Sequence, residues 1–132
     1  MMESPRFLLD TTALIDFAKG FEPAHSKILG MLDRGDQLAI CCVSAAEFFT
    51  GLLPEERKTW RQFFAVLPYW DIRPEAAAQA GIWRYAFSRT GVQLSTTDAL
   101  IAATAWQQDA ILMTNNTKHY PMAEIQLMSA RD

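Results

Sequence analysis

Asp10, Glu47 and Asp98 each stand near the start of a segment with helical spacing, in FLLDTTALID, CVSAAEFFTGL and LSTTDALIAATA. Carboxylates are hard oxygen donors, and three brought together by the fold would hold a divalent cation such as Mg²⁺, which keeps several of its waters. Such an ion polarises a phosphoryl oxygen, lowers the pKa of a bound water and aims it for in-line attack. Without an ion the cluster is costly: at ~5 Å and an effective dielectric near 20, each pair repels by roughly 3 kcal/mol. Capping is the local alternative. Asp10 suits an N-cap, Ser44-x-x-Glu47 has the form of a capping box, Ser95-x-x-Asp98 is its Asp-bearing relative, and acids in a first turn suit the helix macrodipole. Thr11 and Thr12 after Asp10, and Thr96 and Thr97 before Asp98, offer hydroxyls for that duty and leave the carboxylates free to face outward.

Positioning these acids falls to an alternating α/β chain. Arg6 to Asp10 is a short apolar run suited to a buried strand, and Thr11 to Lys19 has helical spacing that Gly20 ends. A helix is predicted from about Pro23 to Arg34, with Gly35-Asp36 as its turn, and a second strand from Leu38 to Val43. Ser44 opens the next helix. Pro54-Glu55-Glu56 starts another, which carries Arg57, Lys58, Trp60, Arg61 and Phe64 before Pro68 interrupts it. Tyr69 to Ile72 reads as a third strand, Pro74 to about Thr90 as an Ala-rich helix stopped by Gly91, and Thr96 to Gln108 as a further helix. Ala110 to Thr114 is a fourth strand and Ile125 to Met128 a short fifth at an edge.

Strands separated by helical segments favour a parallel sheet with helices on both faces, because parallel crossovers need a dozen or more residues. Ligands bind such sheets outside the carboxyl ends of the strands. That rule reaches Asp10, which ends the first strand, and Glu47, in the first turn after the second. Asp98 follows a helix, so spacing alone does not place it beside the other two.

Length and composition narrow the setting. With 132 residues, half of them apolar, the chain is expected to be one globular domain over residues 1–132. No apolar run approaches the roughly 18–20 residues of a membrane span. The segment MMESPRF lacks the basic and apolar regions of a secretory signal, so a cytoplasmic protein without membrane association is expected. Cys41 and Cys42 are adjacent, have no partner Cys elsewhere, and read as small buried hydrophobes. With only His25 and His119 besides, a zinc site lacks ligands. The net charge of −3 opposes plain phosphate binding, but a metal-dependent nuclease offsets its own acids with bound cations. Lys19, Arg57, Lys58, Arg61, Arg84, Arg89 and Lys118 are either ordinary solvated helix surface or phosphate contacts.

The segments LLDTTALIDFAKG, SAAEFFTGL, TTDALIAATA and ILMTNNTKHYP follow one another in the order and spacing of the PIN-domain family. From Phe7 to about Pro121 the chain resembles in particular the small VapC-type toxins of type II toxin–antitoxin pairs. The resemblance implies a three-layer α/β/α fold with a short, mostly parallel central sheet of four or five strands. It implies a Mg²⁺- or Mn²⁺-dependent endoribonuclease in which Asp10, Glu47 and Asp98 are the metal-site acids. Family members often carry a fourth acid where this chain has Asn116, which leaves a ligand but removes one charge. Thr12 stands where the family commonly has Asn or Ser and would orient Asp10 or a bound water on the substrate side. Hydrolysis by metal-activated water would use Asp10 and Asp98 as principal ligands and Glu47 as ligand or local base. Asp10→Ala or Asp98→Ala is then expected to abolish cleavage and leave the fold intact.

The resemblance also implies partners. Structured RNA, as a tRNA anticodon loop or a ribosomal RNA loop, would be the substrate, with Arg57, Lys58, Arg61 and Lys118 on its phosphates and Trp60 either stacking or in the core. A homodimer and a cognate antitoxin are expected. Phe48, Phe49, Leu52, Leu53, Trp60, Phe63 and Phe64 offer more apolar surface than two short helices need, enough for a groove that takes a partner helix. A haloacid-dehalogenase-type phosphatase fits less well, because Thr12 stands where its second Asp belongs. A receiver domain lacks its acidic pair and late Lys. The remaining alternative is a non-catalytic PIN-like module that binds RNA or protein.

Overall fold

Alternation along the strands sorts their side chains between two cores. The computed structural model describes residues 4–131. Among these, β1 (Arg6–Leu9), β2 (Gln37–Cys41), β3 (Tyr69–Trp70), β4 (Ile111–Thr114) and β5 (Gln126–Ser129) form one sheet in the order β3-β2-β1-β4-β5, with every pairing parallel. Leu8, Ala39, Cys41 and Leu112 face one side, and Leu9, Leu38, Ile40 and Met113 the other. The helices are α1 (Thr11–Ala18), α2 (Ala24–Asp33), α3 (Cys42–Thr50), α4 (Arg57–Ala65), α5 (Pro74–Ser88) and α6 (Thr96–Gln107).

Each face of the sheet is covered, which completes three layers. On one side α5 and α6 pack through Trp83 and through Ala76, Ala80, Ala99, Ala102 and Ala103, small residues that let helix and strand approach closely. On the other, Leu14 and Phe17 of α1, Ile28 and Met31 of α2, Phe48 of α3 and Phe64 of α4 meet the sheet. Gly20 (φ +73°) and Gly91 (φ +81°) end α1 and α5 in the left-handed region, as their sequence positions predict.

The boundaries differ from expectation at several places; the third strand ends at Trp70, not Ile72, and the fifth is shifted one residue to Gln126–Ser129. The second strand stops at Cys41, not Val43, because Cys41 adopts an extended conformation (φ −116°, ψ 167°) and serves as N-cap of α3. Ser44 therefore lies inside the helix, its hydroxyl 3.1 Å from Cys41 Sγ, and the Ser44-x-x-Glu47 capping box does not form. Pro54-Glu55-Glu56 makes a separate 3₁₀ turn ahead of α4; there the Glu56 carboxylate accepts from the Leu53 N–H at 2.9 Å.

The topology marks one crevice. From β1 the chain proceeds outward on one side through β2 and β3, then returns to the other side of β1 for β4 and β5. Crossovers diverge between β1 and β4, so a gap opens beyond their carboxyl ends, the switch point where such sheets bind ligands. Asp10 follows β1 and Asn115 follows β4. The Asp10 N–H donates to Met113 O at 3.0 Å and carries the β1–β4 ladder one residue into that gap.

Candidate active site

Asp10 is only 3% exposed, and neutral donors surround its carboxylate. Oδ1 accepts from the Ala13 N–H at 2.9 Å, capping α1, and from the Thr12 hydroxyl at 2.7 Å; Oδ2 accepts from the Tyr120 hydroxyl at 3.1 Å. Asp10 is thus both cap and site residue, and the idea that nearby threonines would relieve it of capping is corrected. Thr12 instead ties Asp10 to the end of β4, because its hydroxyl oxygen also accepts from the Asn115 N–H at 3.3 Å.

Glu47 is the sixth of the nine residues of α3, not in its first turn as expected, because the helix starts at Cys42, and it is exposed. The Thr11 hydroxyl donates to its Oε1 at 2.6 Å, which draws it to the residue beside Asp10.

Asp98 arrives by helix length. The twelve residues of α6 rise about 18 Å, and the four of β4 about 13 Å. Helix and strand run in opposite directions across the tight Gln108–Ala110 connection. The start of α6 therefore reaches the carboxyl end of β4. Here the capping expectation holds for the serine: Ser95 Oγ accepts from the Asp98 N–H at 3.1 Å, so the Asp98 carboxylate is left for other partners. Its Oδ2 lies 3.5 Å from His119 Nδ1.

The 3₁₀ turn Thr117–His119 and the Tyr120 after it close the crevice. Asn116 Nδ2 lies 2.9 Å from His119 Nε2, and the Asn116 N–H donates to Thr114 Oγ1 at 3.0 Å. The Tyr120 pKa is driven strongly upward, first by burial and then by the charges of Asp10, Asp98 and Glu47 with the hydrogen bond to Asp10. One hydroxyl thus feels all three carboxylates, which lie near it on three different elements.

Among the described residues no Lys or Arg stands within ion-pair distance of Asp10, Glu47 or Asp98. A buried carboxylate held only by neutral donors beside two further acids is an environment a cation would stabilise. Nor, among those residues, do any three His, Cys, Asp or Glu side chains stand close enough to ligate one ion together. Mg²⁺ fits such a set, being usually held by one or two carboxylates with waters completing its octahedron.

The expected cations lie elsewhere on the rim. Arg57, Lys58 and Arg61 are exposed on α4, and Arg57 and Arg61 border an open depression of about 500 Å³ with Ala46, Phe49 and Thr50 of α3. Lys118 is exposed in the turn beside His119. A narrower cleft of about 210 Å³, lined by residues including Ile15, Lys19, Glu47, Phe48, Leu52 and Trp60, begins at Glu47. Trp60 is half-buried among Phe17, Phe48, Phe63 and Phe64, which puts its ring in the packing of that face.

A family model described as PIN domain matches residues 7–125. The chain belongs to the PIN-domain family. Ribonuclease VapC19 of Mycobacterium tuberculosis (strain ATCC 25618 / H37Rv) is 34% identical to this PIN domain over 119 residues, covering 87% of this chain and 92% of its own length. Ribonuclease VapC10 of the same strain is 35% identical over 120 residues, covering 89% and 87%. In shape the PIN domain matches a chain of VapBC2 from Rickettsia felis, bound to a DNA fragment from its promoter, with a TM-score of 0.80 at 22% identity and 93% and 97% coverage. A chain of DNA-bound VapBC from Salmonella typhimurium gives 0.80 at 24% identity, with 96% and 98% coverage. The two shape matches support the three-layer fold; the relatives place the chain among VapC ribonucleases.

Sequence reasoning missed Thr11, Asn115, His119 and Tyr120 of this PIN domain, and with them Asp16. Asp16 is buried, accepts from Asn115 Nδ2 at 3.0 Å and lies 3.5 Å from Arg131 Nε. Its helical neighbours gave no sign of that role. His119 and Tyr120 did leave a signal: two polar-capable rings within six residues of the end of β4, on the side of the sheet where ligands bind.

Proposed function

We propose that this chain is a divalent-metal-dependent endoribonuclease acting as the toxin of a type II toxin–antitoxin pair, the whole of residues 1–132 serving as one PIN domain. The observation that carries this reading is the buried Asp10 carboxylate, held only by the Ala13 N–H and the Thr12 and Tyr120 hydroxyls, while no Lys or Arg among the described residues stands within ion-pair distance of it, Glu47 or Asp98. The names of the relatives, VapC ribonucleases, support the reaction class.

Asp10 and Asp98 would hold Mg²⁺ or Mn²⁺ with waters completing its shell, Glu47 would serve as local base in place of the third ligand expected from the sequence, and Asn116 would stand beside them. When bound, the cation supplies Lewis acidity at the phosphoryl oxygen and acidifies a water. Thr12 fixes the Asp10 carboxylate through its 2.7 Å hydrogen bond and acts on substrate only through that carboxylate. Glu47, exposed and held by Thr11, can take a proton from an attacking water. Arg57, Lys58, Arg61 and Lys118 meet RNA phosphates, and a tRNA or ribosomal RNA loop threads past them to the acids. The cleft from Ile15 to Trp60 takes a helix of the cognate antitoxin, and the toxin acts in the cytoplasm as a homodimer. Among the described residues no helix is long and apolar enough to cross a membrane.

The test is incubation of purified protein with total RNA in Mg²⁺, Mn²⁺ or EDTA, followed by mapping of cleaved ends. Site-specific cuts that EDTA abolishes support the nuclease. A second reading, a non-catalytic RNA- or protein-binding module, draws on Asn116 and on the lack of a three-ligand cluster among the described residues. RNA retention without cleavage in any metal would favour it.

A further inference from the structure

Two carboxylates from distant parts of the chain have to meet one cation, and the 3₁₀ turn after β4 touches both. Tyr120 is 3% exposed, with its ring in the core beside Leu8, Ala99 and Leu112, and its hydroxyl donates to Asp10 Oδ2 at 3.1 Å. The adjacent His119 places Nδ1 3.5 Å from Asp98 Oδ2, while its Nε2 lies 2.9 Å from Asn116 Nδ2. An amide Nδ2 only donates, so Nε2 accepts and Nδ1 carries the hydrogen that faces Asp98. Asn116 is anchored in turn by its N–H on Thr114 Oγ1 at 3.0 Å.

We propose that residues 116–120 form a clasp in which Tyr120 and His119 act as positioning residues, holding Asp10 and Asp98 at the separation a divalent cation requires. The idea rests on the metal-site reading above. Physically it follows from where the freedom lies. Asp10 follows the carboxyl end of the central strand β1 and Asp98 lies on a helix from another layer, so their spacing would drift with any shift of α6 against the sheet. A turn hydrogen-bonded to Asp10 and set 3.5 Å from Asp98 limits that freedom. Partners of this kind orient metal-binding carboxylates and typically contribute roughly 10–100-fold in affinity.

The experiment is calorimetric titration of the full chain with Mn²⁺ alone, alongside metal-free melting. Tyr120→Phe removes one oxygen and keeps the ring. His119→Ala removes a half-exposed side chain, and His119→Asn returns a donor near the Nδ1 position. Asp10→Asn reports on the site itself. The expected result is Mn²⁺ binding weakened roughly 10-fold or more by Tyr120→Phe and by His119→Ala, with affinity recovered in His119→Asn. A lower melting temperature with unchanged Mn²⁺ affinity in Tyr120→Phe and His119→Ala would make both residues structural only and overturn the clasp, while the loss of binding in Asp10→Asn leaves the metal site standing. If wild type binds no Mn²⁺, or Asp10→Asn binds it equally, the metal-site reading and the clasp fall together.

Discussion

Replacing Asp10 separates its two roles, because Ala and Asn remove the charge alike but differ in hydrogen bonding. Asp10→Ala takes the acceptor from the Ala13 N–H, the Thr12 hydroxyl and the buried Tyr120 hydroxyl. Loss of the cap costs about 1 kcal/mol, and a buried hydroxyl left without a partner costs about 1–3 kcal/mol. Thr12 loses less, since Thr114 Oγ1 lies 3.4 Å away. The sum is about 2–4 kcal/mol. Asp10→Asn keeps Oδ1 for Ala13 and Thr12 and presents an amide donor that the Tyr120 oxygen can accept. Relief of repulsion from Glu47 and Asp98 is common to both variants and cancels in their difference. Asp10→Ala is therefore expected to be about 2–4 kcal/mol less stable than Asp10→Asn, a gap of roughly 10 °C in melting temperature for a domain of this size. Metal-free urea and thermal unfolding followed by circular dichroism measure it, and both variants should fail to cleave RNA. Equal stabilities would refute the hydrogen-bond network around Asp10. The same carboxylate starts α1 and anchors Tyr120, so Asp10→Ala tests the stability of the fold as well as the site.

Other outcomes follow from the same geometry. Mn²⁺ at 100 times its dissociation constant should stabilise the wild type by about 2.7 kcal/mol; EDTA should erase that gain, and Asp10→Asn should lack it in thermal melts. Arg57→Ala with Arg61→Ala, both exposed, should weaken binding to a non-cleaved RNA and flatten its salt dependence by about 0.7 in log–log slope per lost contact, with unfolding unchanged within about 0.5 kcal/mol. The Cys41 pKa is raised by burial, which outweighs its hydrogen bonds with Ser44. A group whose folded pKa lies above its unfolded value contributes stability that is intact below about pH 8.5 and lost as pH rises beyond it. Alkaline unfolding curves for Cys41→Ala should therefore fall less steeply than wild type from that pH upward. Iodoacetamide should label Cys42 before Cys41, because a buried thiol with a raised pKa is slow to react; mass spectrometry of the labelled peptides checks it.

Local chemistry in the sequence determined the elements. Short apolar runs mark β1, β2 and β4, Gly20 and Gly91 mark two helix ends, and acids near predicted helix starts mark the candidate residues. These are readable because strand and helix periods, turn conformations and caps are properties of a few consecutive residues. Even there the adjacent alternatives competed: Ser44 looked like a cap, but Cys41 caps α3 by backbone conformation alone. Tertiary structure decided the rest. It set the order β3-β2-β1-β4-β5 that opens the crevice beside β1, and it brought Asp98 there because α6 runs back along β4. It joined Thr11 to Glu47, and Tyr120 to Asp10 across 110 positions of chain. Such contacts depend on how layers stack and which strands become neighbours, and no window of sequence contains both partners.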